Sequence, residues 1–299
     1  MKSASRYDSV FRPGLFDGCT IVVTGGGSGI GRCVAHELAS LGAAVVITGR
    51  RRDRLDAVAA EIREDGGRAD AFDFDIRDEA AVTRAVGAIV AAHGPIAGLV
   101  NNAGGQFTAR LEDISLKGWD AVVRTNLNGG FLMSREVVRQ SMRDTGGAIV
   151  NMVADFWRGM PMMAHSGAAR AGMSNLTQSA AVEWAHYGIR VNAVAPGTIA
   201  SSGLDTYDAA WQARYAQRRL TLPPKRFGTE AEVSAAIVFL LSPAAAFVSG
   251  ETLRVDGAGP NMTNAYEVPE HSRLPAFEGF HRAQAPRVVR DVDGPREDD

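Results

Sequence analysis

Lysine is scarce in this chain of 299 residues, where Lys2, Lys117 and Lys225 are the only lysines among 32 cationic side chains. Asp and Glu number 34, so the formal net charge is only -2. A nearly neutral chain has no strong field for a nucleic-acid backbone, and no polybasic face for a membrane surface stands out. We therefore expect a small-molecule substrate and neither a nucleic-acid nor a membrane partner.

Cysteine is equally scarce. Cys19 and Cys33 form no CxxC pair and lie in no Cys/His cluster, so a disulfide framework and a zinc site are both unexpected and we predict no metal.

Long apolar runs are missing too. The N-terminal residues contain no signal-peptide core, and the longest apolar stretch, Ala235–Val248, is interrupted by Ser242 and Pro243. These absences predict a cytoplasmic protein.

Short apolar runs alternate with longer helical patterns along most of the chain. The predicted strands are Thr20–Thr24, Ala44–Thr48, Ala71–Phe74, Gly98–Asn101, Ala148–Val153, Arg190–Ala195 and Thr252–Val255. The predicted helices are Ile30–Leu41, Arg52–Asp65, Glu79–His93, Leu116–Arg143, Met162–Tyr187 and Glu230–Leu241. This alternation indicates an α/β fold, a single Rossmann domain with a doubly wound parallel sheet of seven strands and helices on both faces.

One catalytic domain is predicted over residues 18–257, after an N-terminal extension over residues 1–17. The irregular segment 200–227 interrupts the alternation and is typical of a lid over a substrate. Periodicity is lost from residue 258, so residues 258–299 are predicted to be a partly disordered C-terminal extension with a mobile tail from Arg282 onward.

A glycine-rich turn, TGGGSGIG, follows the first predicted strand and opens the first helix. Glycine lets backbone N–H groups approach a pyrophosphate, and the positive end of the helix favours the anion. The residues predicted to bind the cofactor here are Thr24, Gly25, Ser28, Gly29, Ile30 and Gly31. The alternative is a tight turn without a ligand.

Arginines follow the second predicted strand. An NAD site typically has an acid there for the ribose 2′-hydroxyl, whereas guanidinium groups suit a 2′-phosphate. Arg50 and Arg51, joined by Arg32 just past the last glycine, therefore predict NADP(H) as the cofactor. The alternative is that residues 50–54 are only the solvated start of a helix.

Several further segments occur in a fixed order: FDFDIRD (72–78), NNAGG (101–105), TNLNG (125–129) and VAPGTI (194–199). Together with TGGGSGIG they resemble the short-chain dehydrogenase/reductase family. The resemblance implies that Asp75 and Ile76 contact the adenine and that Asn126 is the asparagine of the catalytic helix. It also implies that Asn102, Ala103 and Gly104 line the cofactor cleft and that Pro196, Gly197, Thr198 and Ile199 face the nicotinamide.

Other segments, GGQF (104–107), HSGAARAG (165–172) and YEVPEH (266–271), resemble the branch of peroxisomal trans-2-enoyl-CoA reductases and its bacterial relatives. This resemblance implies reduction of an enoyl-CoA. It also implies a homo-oligomer, a dimer or a tetramer, formed through the helices Leu116–Arg143 and Met162–Tyr187.

The Tyr-x-x-x-Lys pair of most family members is missing. Alignment through Asn175–Thr177 places Ser166 at the tyrosine position and Arg170 at the lysine position, four residues later on the same helix face. Arg170 can donate to the ribose hydroxyls but does not act as an acid, because the pKa of arginine is above about 12. A serine without a base is also a poor acid, so reduction of a carbonyl loses its usual proton donor.

Reduction of an α,β-unsaturated thioester needs less from the protein. The negative charge spreads into an enolate, which requires oriented donors and a later proton on Cα. Asn126, Ser166 or an ordered water are the candidate donors, so we expect an NADP(H)-dependent enoyl-CoA reductase. Two alternatives stay open: a carbonyl or alcohol dehydrogenase acting on a 3-oxoacyl or hydroxyacyl compound or a terpenoid alcohol, and a cofactor-binding protein with little catalysis.

Other side chains near Ser166 have two interpretations each. Asp155, a candidate catalytic residue after the fifth predicted strand, either orients a water or forms an ion pair with Arg158 or Arg170. His165 precedes Ser166 and so points aside on a helix, which favours packing over proton transfer. Four apolar side chains between Asp155 and His165 either line an acyl tunnel or belong to the core: Trp157, Met160, Met162 and Met163.

Overall fold

The computed structural model of the protein describes residues 6–262 and 268–293, with side chains up to residue 290. A parallel sheet of seven strands forms its centre, in the order β3-β2-β1-β4-β5-β6-β7. The strands are β1 Thr20–Thr24, β2 Ala44–Gly49, β3 Arg68–Asp73, β4 Ile96–Asn101, β5 Gly147–Met152, β6 Ile189–Pro196 and β7 Thr252–Val255. The predicted seven-stranded parallel sheet is confirmed.

Helices connect the strands and cover both faces of the sheet. They are α1 Gly29–Ser40, α2 Arg52–Glu64, α3 Glu79–His93, α4 Leu116–Val123, α5 Gly129–Val137, α6 Arg143–Thr145, α7 Ala164–Glu183, α8 Ala209–Thr221, α9 Glu230–Leu241 and α10 Arg287–Asp293. The single helix predicted over Leu116–Arg143 is interrupted twice, by π-helical turns at Arg124–Asn128 and Val138–Met142.

The apolar strands form these elements because both faces of the sheet are buried. In β1 all five residues are buried, and Ile21 and Val23 pack on one face while Val22 packs on the other. Side chains of α1, α2 and α9 cover the first face, and those of α3, α5 and α7 cover the second.

The strand order places a crevice at the carboxyl edge of the sheet. The chain passes from β1 to β2 on one side and returns to β4 on the other, so connections leave this edge in opposite directions. Ligands of doubly wound sheets bind at such a switch point. A ligand is therefore expected at the loops after β1, β4, β5 and β6.

The C-terminal extension contacts the body of the protein where the structure describes it. Arg282 forms hydrogen bonds with Asp65 at 2.6 Å and Glu64 at 2.8 Å, and α10 packs against α8. The mobility expected for the tail from Arg282 onward stays a prediction. Residues 263–267, which include Tyr266, and residues 294–299 lie outside the described part.

Two findings bear on the expectations about disulfides and about the membrane. Both cysteines are free, Cys33 being buried and Cys19 half-buried. Within residues 6–262 and 268–293, no helix has the length and apolar character needed to cross a membrane.

Candidate active site

The turn between β1 and α1 exposes bare backbone to the crevice. Gly25 and Gly29 have φ angles of +67° and +57°, which favour glycine. A side chain at Gly25 would come within 2.9 Å of the Cα of Ala103, whereas one at Gly29 would meet nothing closer than 3.7 Å. Ser28 caps α1 without a side-chain hydrogen bond of its own. The turn therefore fits a pyrophosphate, with open space above Gly29.

Polar contacts lock this turn to the end of β4. The Thr24 hydroxyl accepts hydrogen bonds from the backbone N–H groups of Asn102 and Ala103, each at 3.0 Å. The Asn102 amide donates to the carbonyl oxygen of Thr24 at 2.9 Å. A Cβ at Gly31 would collide with the Asn102 amide and the Gly25 carbonyl. These contacts bring the turn after β1 and the end of β4 together in one continuous wall of the cleft.

The three arginines predicted to hold the 2′-phosphate separate into two groups. Arg50 and Arg51 are exposed and form no ion pair within 4 Å in the described part of the chain. Arg32 instead donates to Glu61 at 2.7 Å and to the carbonyl oxygen of Arg282 at 3.1 Å, and its guanidinium lies over the Phe280 ring. Arg32 is therefore engaged with α2 and the C-terminal extension in this structure, and its predicted contact with the 2′-phosphate stays a prediction.

The expected adenine side lies between β3 and α3. Asp75 is held by the Arg77 guanidinium, with Nε to Oδ1 at 2.9 Å, and this hydrogen bonding lowers the pKa of the Asp75 carboxyl. Ile76 is 7% exposed and packs against Gly129. A surface pocket of about 490 Å³ opens here, lined by Asp75, Arg77, Asp78, Glu79 and Arg124. Its polar lining suits the edge of a purine, although Arg77 already occupies the Asp75 oxygens.

The π-helical turn after α4 carries Asn126 into the site. Its amide oxygen accepts from the Gly105 N–H at 2.9 Å, and its nitrogen donates to the Gly105 carbonyl at 2.7 Å. Asn126 is 2% exposed, so this pair of hydrogen bonds fixes the loop after β4. The structure therefore makes Asn126 a support for that loop rather than a donor with a free amide.

Ser166 and Arg170 lie on α7, one helical turn apart. Arg170 donates from Nη1 to the carbonyl oxygen of Met152, and its Nε has no hydrogen-bond partner in the described residues. Burial lowers the pKa of the Arg170 guanidinium to about 10, which still leaves it charged at neutral pH. A Cβ at Gly104 would press on this guanidinium, so the cation borders the cofactor cleft.

The Ser166 hydroxyl is 2.7 Å from the Oε1 of Gln106, to which it donates. Gln106 in turn donates from Nε2 to the hydroxyl of Tyr207, also at 2.7 Å. Sequence reasoning missed both Gln106 and Tyr207 as site residues. Gln106 appeared only within the GGQF segment, and Tyr207 had no signal because it lies in the irregular segment 200–227.

Asp155 and His165 differ in their burial and in their hydrogen bonds. Asp155 forms no ion pair with Arg158 or Arg170 among the described residues, so that interpretation is wrong. Its Oδ1 is buried and has no hydrogen-bond partner among the residues that the structure describes, and burial raises the pKa of the carboxyl. His165 is fully buried, accepts from the Ser166 N–H at 2.8 Å and packs edge-on against Phe107. His165 therefore packs beside the site, and burial lowers its pKa.

The loop after β6 forms the remaining wall. Gly197 approaches β7 so closely that a Cβ would lie 2.7 Å from the Cα of Asp256. Thr198 and Ile199 border a cavity of about 380 Å³ that Leu222 and Pro224 of segment 200–227 also line. The apolar side chains considered for an acyl tunnel differ: Met163 is buried, whereas Trp157 is 46% exposed and stacks under Arg254.

The chain is similar to a known protein family and to a curated relative. A family model described as enoyl-(acyl carrier protein) reductase matches residues 25–258. A probable 2,4-dienoyl-CoA reductase of Bacillus subtilis (strain 168) is 36% identical over 240 residues, which cover 79% of this chain and 94% of the relative.

Two solved structures are also similar. A citronellol catabolism dehydrogenase of Pseudomonas aeruginosa PAO1 is 60% identical, with a TM-score of 0.77, over 85% of this chain and 99% of that one. A gluconate 5-dehydrogenase of Burkholderia cenocepacia J2315, in complex with NADP and tartrate, is 34% identical, with a TM-score of 0.76, over 83% and 97% of the chains.

Proposed function

The chain belongs to the short-chain dehydrogenase/reductase family of oxidoreductases, and we propose that it reduces the C=C bond of a trans-2-enoyl-CoA with NADPH. One observation carries this proposal. Arg170 places a buried, permanent cation at the cleft where most family members have a lysine paired with a tyrosine. The dienoyl-CoA reductase among the relatives supports the same class of substrate.

A fixed cation with no acid beside it on α7 suits an enolate better than an alkoxide. An enolate needs its negative charge stabilised, and its Cα can take a proton later from water. An alkoxide formed from a carbonyl must receive a proton during the reaction, which Arg170 cannot give. The Ser166 proton is already donated to Gln106, and so Ser166 does not replace the missing phenol directly.

NADP(H) is the cofactor, as the sequence predicts. Its pyrophosphate would lie on the backbone of Gly25, Ser28 and Gly29, and its 2′-phosphate beside Arg50 and Arg51. The solved gluconate 5-dehydrogenase contains NADP in the same fold. When bound, the cofactor supplies the hydride that the substrate accepts.

Each wall of the cleft has a separate task in this proposal. Arg170 holds the ribose and keeps a positive field at the reacting carbons, while Asn126 fixes the loop that carries Gly105. Asp155, with an unpartnered buried oxygen, is a candidate to hold a water near the end of β5. Segment 200–227 acts as the lid that excludes bulk water.

A second candidate is an alcohol dehydrogenase acting on a terpenoid alcohol. It is favoured by the 60% identity to a protein whose title names citronellol catabolism. An alkoxide-forming reaction would then require a proton acceptor other than a residue on α7.

A spectrophotometric test separates these functions. Oxidation of NADPH with crotonyl-CoA, but not with acetoacetyl-CoA, is expected for the proposed enzyme, together with no reduction of NADP⁺ by citronellol. Reduction of NADP⁺ by citronellol without crotonyl-CoA turnover would overturn the proposal in favour of the alcohol dehydrogenase. Tight NADPH binding with turnover of none of these compounds would leave a cofactor-binding protein.

We also propose that the protein acts in the cytoplasm as a homo-oligomer. Large apolar side chains are exposed on the two predicted interface helices, with Leu116 at 75%, Phe131 at 38% and Val182 at 78%. Such apolar surface on adjoining helices is typical of a subunit interface. The free thiols of Cys19 and Cys33 agree with a reducing compartment.

A further inference from the structure

A chain of hydrogen bonds leads from α7 to segment 200–227. Ser166 donates to Gln106, and Gln106 donates to Tyr207, with both donor–acceptor distances at 2.7 Å. Ser166 is fully buried and Gln106 is exposed to the cleft. The three side chains therefore bridge the cleft from the catalytic helix to its opposite wall.

The chemistry of the amide sets the direction of this chain. The oxygen of Gln106 can only accept and its nitrogen can only donate, so in the observed amide orientation Ser166 donates and Tyr207 accepts. Each hydroxyl has a single proton. The proton of Ser166 is engaged in the hydrogen bond to Gln106, whereas the proton of Tyr207 stays available to a third group.

Tyr215 packs beside Tyr207, with ring centroids 5.5 Å apart, and burial raises the pKa of Tyr215 to about 12. The Tyr207 hydroxyl accepts from Gln106. A hydroxyl that accepts such a bond has a polarised O–H and becomes a better donor.

Tyr207 is also held in position by its surroundings. Its ring packs on Tyr215 and Trp211, with ring centroids 5.5 and 6.4 Å away, and its carbonyl accepts from the Gln212 amide at 2.9 Å. It follows directly after the 3-10 turn Ser202–Thr206, close to the loop that ends β6. The phenol therefore enters the cleft from a fixed place on the lid.

We propose that Tyr207 is a catalytic residue whose hydroxyl donates a hydrogen bond to the carbonyl oxygen of the substrate thioester. The inference rests on the proposed function. With NADPH as the reductant, reduction at Cβ moves the π electron pair of the C=C bond onto that oxygen, and Tyr207 stabilises the resulting enolate while keeping its proton. Cα then takes a proton from water, so NADPH and one proton are consumed for each saturated acyl-CoA formed.

Gln106 is a positioning residue in this arrangement. It accepts the Ser166 proton in a hydrogen bond, so that this proton does not point to the substrate, and it positions the Tyr207 oxygen by donating to it. If its amide were reversed, Ser166 would hold the available proton and Tyr207 would donate to Gln106. The two orientations predict opposite orders for the Ser166 and Tyr207 variants.

The test compares Tyr207→Phe, Ser166→Ala and the control Tyr187→Phe in the full chain with crotonyl-CoA and NADPH. Tyr207→Phe keeps the ring contacts with Trp211 and Tyr215, and Tyr187 lies after α7 under Arg143, away from Gln106. We expect kcat to fall on the order of a hundredfold in Tyr207→Phe and about tenfold in Ser166→Ala. Tyr187→Phe should match the wild type.

A second readout separates catalysis from structure. Calorimetry with butyryl-CoA, the saturated product, should give the same Kd for the wild type and Tyr207→Phe within about threefold, because the donor acts on developing charge. Unchanged kcat in Tyr207→Phe, a larger loss in Ser166→Ala, or weakened butyryl-CoA binding that accounts for the whole loss would each overturn the inference.

Failure of the proposed function gives a different result. In that case wild-type protein does not turn over crotonyl-CoA but oxidises citronellol, and the same variants are compared on that alcohol. Tyr207 would then face the alcohol oxygen, so an unchanged rate in Tyr207→Phe would still overturn its catalytic role.

Discussion

The guanidinium of Arg170 on α7 donates to the carbonyl oxygen of Met152 at the end of β5. This bond ties α7 to the carboxyl edge of the sheet, where the cleft opens. It also orients the guanidinium so that its other side borders Gly104 and the cofactor cleft. The cation is therefore positioned by the main chain, without an acidic partner in the described residues.

Replacing Arg170 with alanine should raise the KM for NADPH and lower kcat together. A hydrogen bond to a charged group contributes about 1.5–3 kcal/mol, which predicts a loss of roughly tenfold to a hundredfold in kcat/KM. Arg170→Lys keeps the charge but loses the planar fork, so an intermediate loss is expected. Steady-state kinetics of both variants, with the exposed Arg63→Ala as control, measures this. Wild-type kinetics in Arg170→Ala would remove its assigned role.

Arg50→Asp should shift the cofactor preference from NADPH toward NADH. Arg50 is exposed at the end of β2 without an ion pair in the described part of the chain, so its charge is available to a 2′-phosphate. We expect the ratio of kcat/KM values to change on the order of tenfold or more.

Arg32→Gln is the matched control for cofactor preference, because its guanidinium is engaged by Glu61 at 2.7 Å. The ratio should remain at the wild-type value in this variant. A shift in both Arg32→Gln and Arg50→Asp would support the prediction made from the sequence, in which Arg32 joins Arg50. A shift in Arg32→Gln without one in Arg50→Asp would contradict the assignment of the 2′-phosphate to Arg50.

The sequence predicts the fold better than it predicts the site. Strand positions follow from apolar runs, and the predicted β1 and β7 coincide with the observed strands. Periodicity cannot reveal a π-helical turn, since adding one residue to a turn leaves the pattern helical. The interruption around Asn126 was therefore unpredictable although the helix itself was expected.

The missed side chains have a different cause. Ser166 and Arg170 follow from spacing on one helix, but Gln106 and Tyr207 are separated by 101 positions and meet only through the fold. The pairing of Arg32 is of the same kind. Adjacency to the last glycine suggested a phosphate contact, and the fold adds an ion pair with Glu61 on α2 at 2.7 Å that adjacency does not reveal.

Charge placed on the exposed apolar surface should dissociate the proposed oligomer. Val182 on α7 and Leu116 on α4 are 78% and 75% exposed. Because a buried unpaired carboxylate is costly, Val182→Glu and Leu116→Glu should lower the assembled mass measured by light scattering. Val10→Glu, at a position 70% exposed outside these helices, should keep the wild-type mass. An unchanged mass in both test variants would contradict an interface through these helices.

The buried Glu230 should make folding stability depend on pH. It begins α9, is 7% exposed, and burial raises its pKa from 4.5 to about 7. The folded protein therefore holds a proton that the unfolded chain has released between these pKa values, so stability falls as pH rises from 4.5 to about 7. The full shift corresponds to at most about 3 kcal/mol.

Urea unfolding should show Glu230→Gln more stable than the wild type above neutral pH, with the difference vanishing in acid. The exposed Glu251→Gln should follow the wild-type curve, and parallel curves for all three proteins would mean that Glu230 is ionised in the folded state.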